Sequence, residues 1–419
     1  MSSADTAVAQ RPPDAAARRT LRVGFVVTHP IQYLAPLFAY LQKTAGVEIT
    51  ALYLSDFSIR GDVDPGFRQA VKWDIDLLAG YTPQFMGEAA RRRRIGGFFS
   101  MVAPELWGAI HRGRFDALVI HGHNLAAHHV ALAAAKASGT PVLARAETHR
   151  LLQRPRWKEQ VRTPLLRTWY KAFDGFLAIG ARNSDYYRHM GVAQDRIFLA
   201  PYVVENERFF EAARGAATRR AATRARLGLS GDAPAILYAA KFDRRKRPDD
   251  LVRAVRKLQS DGGAAQLVMV GSGLMDAELK ALVTELDVRD VVFPGFINQR
   301  ELPDVYAACD VFVLPSDNEP WGLAVNEAMC AGLPIVLSDE IGCAADLVTT
   351  RDNGWRFAAG DVSALAQALS VIVSDDALRA RMGAASRARI STWSYAECAA
   401  GLRRAVETVA ARRAAMAGR

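Results

Sequence analysis

Short apolar runs alternate with helix-length segments over most of the 419 residues. This alternation is the strongest constraint on the fold, because neighbouring parallel strands need a crossover between them, usually a helix. Residues 21–28, 48–54, 117–121, 141–144, 175–179 and 197–200 read as short buried strands. Helices fit 36–44, 125–138, 164–173 and 183–190. The alternation resumes over 235–357, and a chain of this length is long enough for two separately cored α/β domains. We therefore expect a first domain over 21–200 and a second over 201–393, with a long helix at 394–415. Residues 1–20 are rich in Ala, Arg and Pro and lack an apolar run. They read as a disordered tail, neither signal peptide nor anchor. The first strand runs into Thr28-His-Pro-Ile-Gln-Tyr33 rather than Gly-x-Gly-x-x-Gly, which argues against dinucleotide binding in this half.

The segment 310–337 is a strand, an elaborated loop, a helix over 323–331 and a second strand. Two carboxylates, Glu319 and Glu327, stand eight positions apart within it. Open α/β sheets bind ligands at the carboxyl ends of their strands, where this loop lies. Gly322 permits a close approach to the backbone. The amides of residues 322–325, with Leu323 and Ala324 first in the helix, suit an anion such as a diphosphate. Glu327, one turn into the helix, can accept two hydrogen bonds from a ribose diol. Glu319, ahead of the amides, could accept from hydroxyls of an attached sugar. A surface loop with two solvated acids is the plainer reading of the same residues.

The stretch Glu319-Pro-Trp-Gly-Leu-Ala-Val-Asn-Glu327, continuing to Asp339, resembles the glutamate-x7-glutamate signature of family-4 retaining glycosyltransferases. The resemblance covers roughly residues 22–395 and is stronger after 198. It implies the GT-B fold, in which two Rossmann-like domains face each other across a cleft and the terminal helix crosses back onto the first. In that family the second glutamate holds the nucleotide ribose and the first contacts the donor sugar, here Glu327 and Glu319. A basic residue five or six places before a lysine neutralises the donor diphosphate, and Lys241 and Lys246 match that spacing, with lysine where arginine is usual. Gly273 ends a strand in a glycine turn as the family does, and Phe296 lies in the segment whose backbone reads the base. Asn206 matches the stretch at the domain junction, and Glu205 stands where that stretch commonly carries aspartate.

Histidines gather where first-half strands end: His29, then His121 and His123, then His149 beside Glu147. These turns share one sheet edge and would face the cleft. Relatives often carry a histidine near the reacting sugar, implying His121 or His123; the alignment does not choose between them. His29, Glu147 and His149 are acceptor-side candidates. His128 and His129, on the following helix, read as structural.

Residues 21–200 hold 23 Lys and Arg against 14 Asp and Glu, so nearly all of the net +10 lies in the first half. That half should meet something anionic. The densest spot is Arg91, Arg92, Arg93 and Arg94, followed by Phe98, Phe99 and Trp107, which suits an anionic membrane surface. A solvated arginine run beside inward-packed aromatics is the alternative. No nucleic-acid-binding motif is present. The four cysteines form no Cys-x-x-Cys and sit among apolar residues, as buried thiols do in a reducing compartment. There is no metal-ligand spacing and no Asp-x-Asp, so neither metal nor other cofactor is expected. No run reaches the length of a membrane span.

These readings combine into a metal-independent retaining glycosyltransferase. It would move a sugar from a nucleoside diphosphate sugar to a glycan or lipid-linked glycan, in the cytoplasm or at the inner face of the membrane. A nucleotide-sugar 2-epimerase, a phosphorylase and a non-catalytic nucleotide-sugar sensor remain alternatives.

Overall fold

The structure, a computed structural model, describes residues 19–64, 66–87, 96–152, 155–229 and 231–418. The Arg91–Arg94 run and most of the expected N-terminal tail lie outside the described residues.

Strands β1 (Leu21–Val27) and β2 (Val47–Tyr53) are followed by a short antiparallel hairpin, β3 (Val63–Asp64) and β4 (Gln69–Ala70), and then by β5 (Thr82–Phe85). After these come β6 (Ala117–His121), β7 (Val142–Arg145), β8 (Gly175–Ala178) and β9 (Ile197–Leu199). Apart from the hairpin they form one parallel sheet in the order β5-β2-β1-β6-β7-β8-β9. The second sheet contains β10 (Ala235–Ala239), β11 (Gln266–Val270), β12 (Val291–Gly295), β13 (Val311–Leu314), β14 (Ile335–Ser338) and β15 (Gly354–Phe357). Its order is β12-β11-β10-β13-β14-β15. Two parallel-sheet α/β layers of this kind are the GT-B arrangement.

The first sheet is covered on both faces, and its strands show why. Val23, Phe25 and Val27 of β1 belong to one hydrophobic cluster and Val26 to another. Ala117 and Val119 of β6 likewise separate from Leu118 and Ile120. Alternate residues face opposite sides of a pleated strand, so continuous apolar runs require two covered faces. One cover is the 23-residue helix Tyr395–Ala417, whose Cys398, Leu402, Val406 and Val409 join the β1 cluster. The capping box Ser394–Glu397 fixes its start. All four cysteines are free and buried.

Several elements depart from the sequence expectation. The hairpin, β5 and the helices Phe57–Arg60 and Glu105–Gly113 are absent from it. The expected 164–173 helix instead runs Arg156–Tyr170, with Pro164 inside it. Proline favours a first turn, but here the preceding turns persist and Thr168 Oγ1 donates to the Pro164 carbonyl. Among the described residues no helix is long and apolar enough to cross a membrane.

Candidate active site

In each sheet the strand order reverses at one place, between β1 and β6 and between β10 and β13. A crevice opens beyond the carboxyl ends of strands at such a switch point. His29 follows β1 and His121 ends β6. Lys241 and Lys246 follow β10, and Glu319 follows β13. The chain thus delivers these five residues to the two places where strand topology makes room, while Glu147 and His149 follow β7, Gly273 follows β11 and Phe296 follows β12.

On the second domain, Gly322 caps the Leu323–Ala331 helix with φ 92°. The Val325 amide donates to the Gly322 carbonyl at 2.9 Å, while the amides of 322–324 find no acceptor among the described residues. A Cβ at Gly322 would sit 3.0 Å from Ile341, so both conformation and space favour glycine. Lys246 Nζ donates to Glu319 Oε2, so this cation and carboxylate neutralise each other beside those amides. Glu327 is partly exposed and accepts from Tyr306 Oη at 2.8 Å. Burial pushes its carboxyl up to about 7, against the Tyr306 hydrogen bond and the charge of Arg208. Trp321 is structural: its Nε1 donates to Asn326 Oδ1 at 3.0 Å, and its ring stacks on Trp393.

Gly273 is required by packing, since a Cβ there would lie 2.5 Å from the Phe242 carbonyl oxygen. Phe296 packs its ring on Phe67 and Trp73, with centroids 4.9 and 5.9 Å away. Both partners come from the first domain, in or just beyond the hairpin. That segment is fastened to the second domain along its length. Lys241 Nζ donates to Asp64 Oδ1 at 2.9 Å, and Ser272 Oγ donates to the Phe67 carbonyl at 2.9 Å. Asn298 Nδ2 donates to the Lys72 carbonyl at 2.8 Å, and the Arg300 amide to the Asp74 carboxylate. Lys241 therefore engages the opposite domain, as well as lying 4.5 Å from the Phe67 ring centroid.

On the first domain, Glu147 Oε1 accepts from Tyr33 Oη at 3.1 Å, from Tyr202 Oη, and pairs with His121 Nε2 at 3.2 Å. Burial acts to raise its pKa, but the hydrogen bond and charge of His121 and the two phenols outweigh it. The carboxyl lies below its usual range and is ionised at neutral pH. His29 bonds Thr28 Oγ1 through Nδ1, and burial lowers its pKa to about 4, so it is neutral. His123 pairs with Arg162 at 2.9 Å. His121, His123, Glu147 and Arg162 all line a cavity of about 520 Å³. A smaller one of about 220 Å³ is lined by His29, Asp64 and Lys241 among others. His149 is set apart from these. Its Nε2 reaches the Glu319 backbone carbonyl at 2.9 Å and its Nδ1 accepts from the Leu151 amide, so it clamps the two domains. His128 is fully buried and accepts from the Leu125 amide, a structural role.

Asp64, Phe67, Tyr33, Tyr202 and Tyr306 were not read from the sequence. Asp64-Pro65-Gly66 carries a turn signature that could have marked the hairpin. The tyrosines carry no local signal, because their partners are remote in the chain.

Residues 58–208 match the family model described as Glycosyltransferase Family 4, and residues 219–389 match Glycosyl transferases group 1. A D-inositol 3-phosphate glycosyltransferase of Streptomyces avermitilis is 32% identical over 320 residues, covering 72% of this chain and 67% of that protein. A Xylanimonas cellulosilytica protein of the same name is 37% identical over 224 residues, and the match spans only 52% of its length and 52% of this chain. Among solved structures, Anabaena Alr3699/HepE in complex with UDP and glucose is 16% identical with a TM-score of 0.69. That match covers 93% of this chain and all of that one, and it shows a common fold.

Proposed function

The chain belongs to the family-4 glycosyltransferases, and we propose that it moves a sugar from a nucleoside diphosphate sugar to a glycan or lipid-linked glycan, with retention and without a metal ion. The observation that carries this reading is the arrangement at the β10/β13 switch point: open amides at 322–324, the Lys246–Glu319 pair beside them, and Glu327 one turn inside the same helix. An anion at the amides would compete with Glu319 for Lys246, and with Asp64 for Lys241. Both cations would then face a departing diphosphate, where fixed charge stabilises the transition state. Glu327 would take the ribose hydroxyls, and the released Glu319 would take hydroxyls of the sugar. In the reaction the anomeric carbon–oxygen bond to the diphosphate breaks and a bond to the acceptor oxygen forms on the same face. The acceptor proton passes to the departing diphosphate oxygen, so no side-chain base is required.

In this reading the acceptor lies against the first domain, and the charge excess of that domain supports an anionic setting for it. Trp157, Val161 and Leu165 are exposed four residues apart on the Arg156–Tyr170 helix, forming an apolar stripe, and Phe98, Phe99 and Trp107 are also exposed. Exposed aromatics beside basic residues support peripheral attachment to an anionic membrane.

The test is release of nucleoside diphosphate over a panel of donor sugars, with and without acceptors and with EDTA. Acceptor-dependent release that survives EDTA is expected. Rearrangement of the donor without any acceptor would mean an epimerase, a requirement for inorganic phosphate would mean a phosphorylase, and binding without turnover would mean a sensor.

A further inference from the structure

We infer that the acceptor end held in the cleft is an uncharged polyol, such as a pyranose, gripped by two carboxylate oxygens that the protein leaves open: Oε2 of Glu147 and Oδ2 of Asp64. This rests on the glycosyltransferase reading and names the substrate class of its acceptor side.

The two cavities lie on either side of the turn after β1. Thr28 and Ile31 line the larger, His29 and Gln32 the smaller. Each contains one carboxylate built in the same way. Glu147 Oε1 takes Tyr33, Tyr202 and His121, as described above. Asp64 Oδ1 accepts from the amides of Gly66 at 2.7 Å and Phe67 at 3.0 Å and from Lys241 Nζ at 2.9 Å. Among the described residues, neither second oxygen accepts a hydrogen bond. The side chains nevertheless keep 31% and 18% of their exposure. Three donors on one oxygen fix each carboxylate's orientation, and the other oxygen is available to a ligand. An ionised carboxylate can only accept, so the matching group is a donor. Hydroxyls fit, whereas a phosphate or carboxylate would meet like charge.

The cations nearby do not reverse this preference. With nucleotide bound, Lys241 turns to the diphosphate while the Gly66 and Phe67 amides keep hold of Asp64 Oδ1. His121 is committed to Glu147, and Arg162 to His123, Tyr186 and Glu159. His29 is neutral. The smaller cavity adds Phe57, Phe67 and Trp73, apolar faces of the kind that line small-molecule pockets around a few placed polar groups. The positive excess of the first domain therefore acts on a remote part of the acceptor, or on the surface that carries it, and not on the sugar at the reacting end.

Calorimetric titration of the full chain saturated with the tightest-binding of UDP, GDP and ADP tests this. The probes are methyl pyranosides and myo-inositol, each set against a phosphorylated counterpart. The neutral members should bind about tenfold more tightly or better. In Glu147→Gln and Asp64→Asn their affinity should fall, and the gap to the phosphorylated members should narrow, a charge-selective effect that a merely structural carboxylate would not produce. The inference is overturned if phosphorylated probes bind more tightly, if no neutral probe binds, or if the variants leave the ratio unchanged. Nucleotide binding is measured first in the same experiment. Its failure counts against the sugar-nucleotide reading, and failure of the probes after it succeeds counts against this one.

Discussion

Glu327 sits where its charge works against the stability of the folded chain. Burial pushes its carboxyl up to about 7, above its ordinary 4.5. The native state therefore holds a proton that the unfolded state has lost between those two values. Its stabilising contribution is fully present below the lower value and is lost as pH rises through the upper one. Glu327→Gln carries no charge at any pH. Its melting temperature relative to wild type should rise from pH 4.5 to about pH 8, with the change centred below 7. A constant difference across that range would show that the carboxylate is not strained. Nucleotide binding should run the other way, because only the ionised form can accept both ribose hydroxyls, so affinity should increase as pH rises through about 7. Beside it, Lys246→Ala should cost about 2–4 kcal/mol of transition-state stabilisation, read from kcat/KM for the donor sugar nucleotide. An unchanged kcat/KM would remove Lys246 from the chemistry. The spacing of Lys246, Glu319 and Glu327 was legible because all three are local to single strand–loop–helix units. Asp64 was not, because its partner Lys241 lies 177 positions away and only the folded cleft joins them.

Among the elements, the long buried strands and their helices were legible, since apolar runs and alternation follow from two covered faces. The short ones were not. β3 and β4 are two residues each and hold their place through contacts with the other domain, not through their own pattern. The helix Tyr395–Ala417 shows how closely elements can be fitted. A Cβ at Gly401 would lie 1.9 Å from the Leu199 carbonyl oxygen, which is backbone and cannot step aside. Gly401→Ala should force the helix off β9 and destabilise the protein by about 1–3 kcal/mol, measured by chemical denaturation. Wild-type stability in this variant would mean that the helix does not pack against β9 as described.

At the scale of the whole molecule, charge and exposed apolar surface coincide on the first domain. Each arginine near an anionic surface contributes roughly 1 kcal/mol, and salt screens the attraction within about 10 Å. Changing Arg91, Arg92, Arg93 and Arg94 to glutamine should strongly reduce sedimentation with anionic liposomes, and high salt should mimic the change. Protein that ignores such liposomes at low salt would leave the positive charge to serve a soluble anionic acceptor. The two domains meet through His149 on the Glu319 carbonyl, Asp64 on Lys241, and Phe67 and Trp73 on Phe296, so the cleft is one site assembled from both sheets. Everything proposed for that site depends on a nucleoside diphosphate sitting at the start of the Leu323–Ala331 helix with its ribose on Glu327. The most direct measurement is the dissociation constant of nucleoside diphosphates for wild type and Glu327→Ala at about pH 8. At least one nucleotide should bind wild type, and the variant should lose about tenfold or more, the scale of hydrogen bonds to a charged group. Equal affinity in the two proteins would contradict the account.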